Sequence, residues 1–204
     1  MTVLMIEHGT LGFTIGKDLD KLGYNGPESS EVFMSDCRVP VENALGGEEG
    51  HGLQQVLSAL EFGRVNIAGR AVGVAQASLD RSLEYARERH AFGRPIAEFQ
   101  AIQLKLADMA TELQAARLLT WWAASVLDSG GRAELETGMA KLYASEVCIK
   151  ASLDAMRIHG GYGYSTEYEI ERFYRDAPLM AIGEGTNEIL RTVIARQLVR
   201  GDQV

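Results

Sequence analysis

The sequence predicts a mainly α fold, an antiparallel four-helix bundle preceded by a short β-rich segment. Three observations carry this expectation. Beyond Gly50, apolar residues recur every three to four positions over most of the chain. The links between these periodic runs are short, which favours antiparallel helical neighbours. Residues 1–45 instead hold short apolar runs punctuated by Gly, Pro and Asn.

In the first segment, Thr2-Val3-Leu4-Met5-Ile6 is a small apolar run closed by His8-Gly9, and Gly12-Phe13-Thr14-Ile15 ends in charges. Ser30-Glu31-Val32-Phe33-Met34 alternates before Asp36, and Asn25-Gly26-Pro27 marks a turn. Strands this short bury little by themselves, so they read as part of a sheet whose remainder lies outside this chain. From Gly50, the stripe Leu53, Val56, Leu57, Leu60, Ile67, Ala71, Ala75, Leu79, Leu83, Ala86 predicts a helix of about 39 residues, roughly 58 Å long. Between Val65 and Ala77 its only charge is Arg70, and Gly69 and Gly73 remove bulk one turn apart. That stretch is expected to be buried on several sides with neighbours approaching closely. A second helix carries Phe99, Ile102, Leu106, Met109, Leu113 and Ala116, and stops before Ser129-Gly130-Gly131. A third runs from about Ala133 to Ile158 and ends at Gly160-Gly161, a C-terminal glycine signal. A last helix, with Ile189, Leu190, Val193, Ile194 and Leu198, starts after Gly185-Thr186.

The composition of the 204 residues, 46% hydrophobic and 24% charged, excludes an intrinsically disordered chain. A net charge of -8 argues against general affinity for nucleic acid or anionic membrane, and no run is long enough to span a bilayer. Cys37 and Cys148 lie far apart, giving neither a disulfide framework nor a zinc spacing. Residues 1–20 lack the features of a signal peptide, so a cytoplasmic location is expected.

Three segments stand out chemically. Arg81, Arg87, Arg89 and Arg94 crowd residues 81–94 against only Glu84 and Glu88. They are either cations complementing a helix C-terminus or an anion site, since the guanidinium fork suits a pyrophosphate. Arg157-Ile158-His159-Gly160-Gly161-Tyr162-Gly163-Tyr164 is a glycine-rich loop after a helix. It is either a helix cap with a tight turn or a backbone lying flat against a ligand. His159 has no companions at metal-ligand spacing, so no metal is expected. In Gly183-Glu184-Gly185-Thr186-Asn187-Glu188, the acid either complements the N-terminus of the following helix or faces a cleft as a general base.

Together these segments resemble the C-terminal half of the acyl-CoA dehydrogenase family. The matching stretches are Arg89-His90-Ala91-Phe92-Gly93-Arg94-Pro95-Ile96 with Gln100, His159-Gly160-Gly161-Tyr162-Gly163-Tyr164, Glu171-Arg172-Phe173-Tyr174-Arg175-Asp176, and Glu184-Gly185-Thr186-Asn187-Glu188-Ile189. The segment from Gly23 to Gly50 is similar to the last strands of that family's central β-domain. The resemblance implies residues 1–47 as a partial β-domain and 48–204 as a helical bundle. It implies an FAD enzyme that forms a trans α,β double bond in an acyl-CoA thioester. Glu184 matches the base that removes the α-proton while the β-hydrogen leaves as hydride to flavin N5. The backbone N–H at Glu184 and a flavin hydroxyl would polarise the thioester carbonyl.

Further roles follow from the same resemblance. Arg89, Phe92 and Gln100 match positions that hold the FAD pyrophosphate and adenosine, largely across a dimer interface. Gly160 and Gly161 match the loop beside the same dinucleotide, with Arg157 where glutamine is commoner, and Ala91 replaces a residue often Thr or Gln. Thr186 and Glu188 match flavin contacts. Glu61, Arg64 and Gly185 match substrate contacts, and Arg196 the CoA end. Some relatives carry the base on the first helix, at the position of Gly63, so glycine there favours Glu184. Electron-transfer flavoprotein as acceptor and a homodimer or homotetramer are implied. The family's N-terminal helical domain and first β-domain strands, which carry one face of the flavin site, lie outside the resemblance. Two other readings share these features: a helical oligomerisation or partner-binding module without chemistry, and an acyl-CoA oxidase.

Overall fold

The helical periodicity beyond Gly50 resolves into five α-helices in the structure, a computed structural model that describes residues 1–201. They are α1 (Gly52–Glu88), α2 (Gln100–Asp128), α3 (Glu134–His159), α4 (Ile170–Ile182) and α5 (Asn187–Arg200). Strands β1 (Phe13–Asp18) and β2 (Ser30–Met34) precede them, and β3 (His90–Ala91) and β4 (Arg94–Pro95) lie between α1 and α2. The chain divides into two compact units, Met1–Leu60 and Glu61 onward.

In the first unit β1 and β2 pair antiparallel, with the register shifting between Ile15 and Asp18. Ile15, Val32, Phe33 and Met34 are each half exposed or more, so this pair covers little apolar surface. The run Thr2–Ile6, expected as a strand, makes only one bridge, Leu4 to Ala44. Its partner segment winds into a 3-10 turn over Val41–Asn43, whose Asn43 and Ala44 N–H groups donate to the Pro40 and Val41 carbonyls, so the pairing is limited to Met5 N–H on Asn43 O and Leu45 N–H on Val3 O.

In the second unit α3 is the central helix and packs against α2, α4 and α5. Its buried positions are mostly small: Gly138, Ala140, Ala144, Ser145, Cys148, Ala151, Ser152, Ala155. Small side chains let several helix axes come close to one helix. On α1 the buried stripe is Ile67, Ala68, Ala71, Ala75, Ser78, Leu79 and Ser82. The buried hydroxyls of Ser82 and Thr120 donate to the carbonyls of Ser78 and Ala116 one turn back, so they cost no unpaired donors. The expectation of close approach at Gly69 and Gly73 is corrected. Both lie on the open face of α1, with nothing within 4 Å of where a Cβ would stand; the alanines carry the contact instead.

Candidate active site

Glu184 sits in a turn of four residues between α4 and α5, and the backbone there is unusual. Glu184 has φ 55 and Gly185 φ 92, two consecutive left-handed residues. A glutamate in that region is sparsely populated and persists only where its surroundings hold it. Thr186 then caps α5, its hydroxyl accepting from the Ile189 N–H at 3.4 Å. The Glu188 backbone N–H and the Thr186 hydroxyl hold the Glu188 carboxyl below the usual carboxylate range.

The Glu184 side chain is half-buried and turns toward α1. A Cβ added at Gly63 would stand 2.5 Å from Glu184 Cδ and 3.0 Å from Oε1. The carboxylate therefore occupies the space that a side chain at position 63 would need. The next residue, Arg64, is buried, and its Nε and Nη1 have no acceptor among the described residues. Beneath the turn lies Lys141 of α3, fully buried, with Nζ donating to the carbonyls of Gly185 (2.7 Å) and Ala181 (3.1 Å) and to Asn187 Oδ1 (3.0 Å). Asn187 in turn donates to Ser145 Oγ (2.9 Å) and Glu146 Oε1 (3.0 Å). Burial, followed by the nearby Arg64 guanidinium, draws the Lys141 ammonium down to about 8. Sequence reasoning passed over Lys141, Asn187 and Ser145. The one available signal was a lysine set among the alanines of α3.

A second cluster forms around the end of α1. Phe92 (φ 52) and Gly93 (φ 83) make a two-residue turn joining β3 to β4, with Ala91 paired to Arg94. Phe92 is 96% exposed at its tip, and its ring meets Phe99 edge-on at 6.1 Å. Gln100 opens α2 and is exposed. The Arg89 guanidinium lies 5.8 Å from the Tyr162 ring centre, and both line a cavity of about 700 Å³ with Ile96, Gly160 and Gly161. Space is open where a Cβ at Gly160 or Gly161 would stand, and Gly160 has φ 60. An adjoining cavity of about 650 Å³ adds Arg81, Tyr168 and Glu169. Tyr85 stacks on His159 at 4.2 Å. His159 is buried and its Nδ1 donates to the Ala155 carbonyl at 2.8 Å, while burial pulls its titration down. Arg157 is exposed and reaches Asp154 Oδ1 at 3.4 Å, an oxygen that also accepts from Lys105 Nζ at 2.5 Å.

The structure thus brings Glu184, Gly185 and Thr186 together in one turn, with Glu188 in the first turn of α5, and sets the Glu184 carboxylate against Gly63, the residue before Arg64. It gathers Arg89, Gly160 and Gly161 separately, with no Glu184 in either cavity. Glu61 is turned elsewhere: it is buried, and its Oε2 accepts from the Ala133 N–H at 3.0 Å, at the start of α3. Arg196 is exposed on α5. Among the described residues no group of three or more His, Cys, Asp or Glu is placed to hold a metal, and no helix is long and apolar enough to cross a membrane.

Residues 50–199 match the family model described as acyl-CoA dehydrogenase, C-terminal domain. The chain belongs to the acyl-CoA dehydrogenase family. Over 200 residues it is 49% identical to a probable acyl-CoA dehydrogenase of Bacillus subtilis, covering 98% of this chain and 52% of that protein. It is 42% identical to the CarC subunit of the caffeyl-CoA reductase-Etf complex of Acetobacterium woodii, with 98% and 52% covered. Butyryl-CoA dehydrogenase from Megasphaera elsdenii matches its fold with a TM-score of 0.95 at 41% identity, over 98% of this chain and 52% of that one. The mainly helical architecture is therefore that of acyl-CoA dehydrogenases. The chain spans about half the length of the relatives it matches.

Proposed function

We propose that this chain supplies the base-bearing half of an FAD-dependent enzyme that dehydrogenates an acyl-CoA thioester between its α and β carbons. The observation that carries the reading is Glu184: a half-buried carboxylate on a strained, braced turn, filling the space that glycine at position 63 leaves free. In this reading the carboxylate takes the α-proton on one of its oxygens. Two cations on the protein side, Arg64 and Lys141, face the turn and favour the negative charge that passes from the Glu184 carboxylate to the substrate as the proton is taken. The unpaired donors of Arg64 add a site for an acceptor of the substrate, and Gly185 lets the substrate approach the turn closely.

The residues present fit an FAD at the second cluster. Arg89 offers a guanidinium to a diphosphate, Gly160 and Gly161 present bare backbone to a cavity of about 700 Å³, and Phe92 and Gln100, which do not line it, are exposed. Arg157, in the last turn of α3 ahead of Gly160, carries a further guanidinium, paired here with Asp154. FAD, when bound, supplies the acceptor for the β-hydrogen and its electron pair. Glu184 lines neither cavity beside Arg89, which suits a dinucleotide gripped by two copies of the chain. Exposed Phe92 and Trp121 suit burial in a homodimer or homotetramer. Residues 1–47 belong, in this reading, to a β-domain and 48–204 to the helical domain.

Acyl-CoA is the substrate class, and an electron-transfer flavoprotein is the partner that the relation to CarC supports. That relative's name also favours a second reading, reduction of an enoyl-CoA, in which Glu184 returns the proton to the α carbon. Replacing Glu184 with Gln tests the assignment. FAD content and helicity are expected to stay unchanged while flavin reduction by an acyl-CoA falls by about 10²-fold or more; undiminished reduction removes Glu184 from the base role.

A further inference from the structure

We propose that Lys141 is a positioning residue that sets the place of the Glu184 carboxylate by tying together the three backbone and side-chain groups that bracket it. The proposal rests on the reading of Glu184 as the base, and it concerns how that base is held. Nζ of Lys141 donates to Ala181 O at the end of α4, to Gly185 O directly after Glu184, and to Asn187 Oδ1 at the first residue of α5. The acceptors lie three residues before, one after and three after Glu184, so one ammonium clamps both exits of the turn. An ammonium has three N–H donors in tetrahedral array, and here each meets one acceptor at 2.7 to 3.1 Å.

A fully buried lysine is costly to a core, and an apolar side chain of that length would fill the same volume without the desolvation. Filling space therefore does not account for it. The turn does: Glu184 and Gly185 both sit at positive φ, and the Gly185 carbonyl, freed from helical bonding by that geometry, takes the shortest of the three bonds. Asn187 extends the clamp to α3 through Ser145 Oγ and Glu146 Oε1. The charge on Lys141 also faces Glu184, Glu188 and Glu146, with Arg64 opposing them from α1. At neutral pH a group titrating near 8 stays mostly protonated and keeps all three donors.

The test compares backbone hydrogen exchange of the 204-residue chain with Lys141→Met and Lys141→Arg. Methionine keeps the stem and removes the donors. The expected result is a loss of protection of about tenfold or more at residues 183–187, with α2 and α3 unchanged and partial recovery in Lys141→Arg. Unchanged protection of the turn overturns the proposal. Where Lys141→Met loosens all of α3, Asn187→Ala decides, because it removes one acceptor and leaves the ammonium. A loss of about threefold confined to the turn supports the clamp, and an unaltered turn overturns it. In FAD-loaded protein, Lys141→Met is expected to lower the limiting rate of flavin reduction at least about tenfold while acyl-CoA affinity stays within about threefold. Exchange needs neither cofactor nor substrate. A turn that loosens in a protein whose unsubstituted form never reduces its flavin with acyl-CoA removes the base reading and leaves the clamp standing.

Discussion

Gly63→Ala separates the position of the base from the stability of the fold. A methyl group at residue 63 would stand 2.5 Å from Glu184 Cδ, whereas carbon atoms rest about 3.5 Å apart or more. The carboxyl group must therefore retreat by about 1 Å. Because it is the free end of a flexible side chain, the retreat costs the fold little, and alanine in a helix interior is favoured over glycine by about 0.5–1 kcal/mol. Catalysis is far less tolerant. A misplacement of about 1 Å costs on the order of 10²-fold. The expected outcome is a chain at least as resistant to urea as before, with the FAD-loaded protein reduced by acyl-CoA about 10²-fold more slowly in stopped-flow. A variant that keeps the full reduction rate refutes the claim that Glu184 works from the space beside Gly63. A variant that unfolds more readily refutes the claim that the carboxylate yields.

Three more outcomes are expected. Arg89→Ala lowers FAD retention through gel filtration; unchanged FAD content makes Arg89 only a cation near the C-terminus of α1. Glu61→Ala loses the acceptor for the Ala133 N–H and costs about 1–2 kcal/mol in urea unfolding, whereas an unchanged midpoint leaves Glu61 free for a substrate role. His159 is buried and titrates below its usual 6.5, so the unfolded state binds its proton first as pH falls. Stability is therefore lost as pH drops below about 6.5, and His159→Phe flattens that part of the urea-midpoint profile; an unchanged slope contradicts the burial argument.

Much of the fold was legible because glycines and a 3.6-residue period mark it. The first helix was expected over about 39 residues and spans 37; α3 ends one residue beyond the expected Ile158; α5 begins where Thr186 caps it. Helix α4 was not legible as a helix. Its apolar stripe of Ile170, Phe173, Ala177 and Met180 is interleaved with Glu171, Arg172, Arg175 and Asp176, and Pro178 interrupts it. At Gly69 and Gly73 small residues suggested contact, yet the alanines of the opposite face are the ones buried. At the site, the glycine-flanked Glu184 could be picked out because two glycines around an acid leave a local trace. The Lys141–Asn187 and Glu61–Ala133 pairs could not, since 46 and 72 residues separate the partners and only folding brings them together.

The most direct measurement of the central claim is exchange of the acyl-CoA α-hydrogens with deuterium oxide, followed by mass spectrometry on FAD-loaded protein. The unsubstituted protein is predicted to wash deuterium into the α position and Glu184→Gln to leave it unlabelled. Equal labelling by both would contradict the assignment of the base.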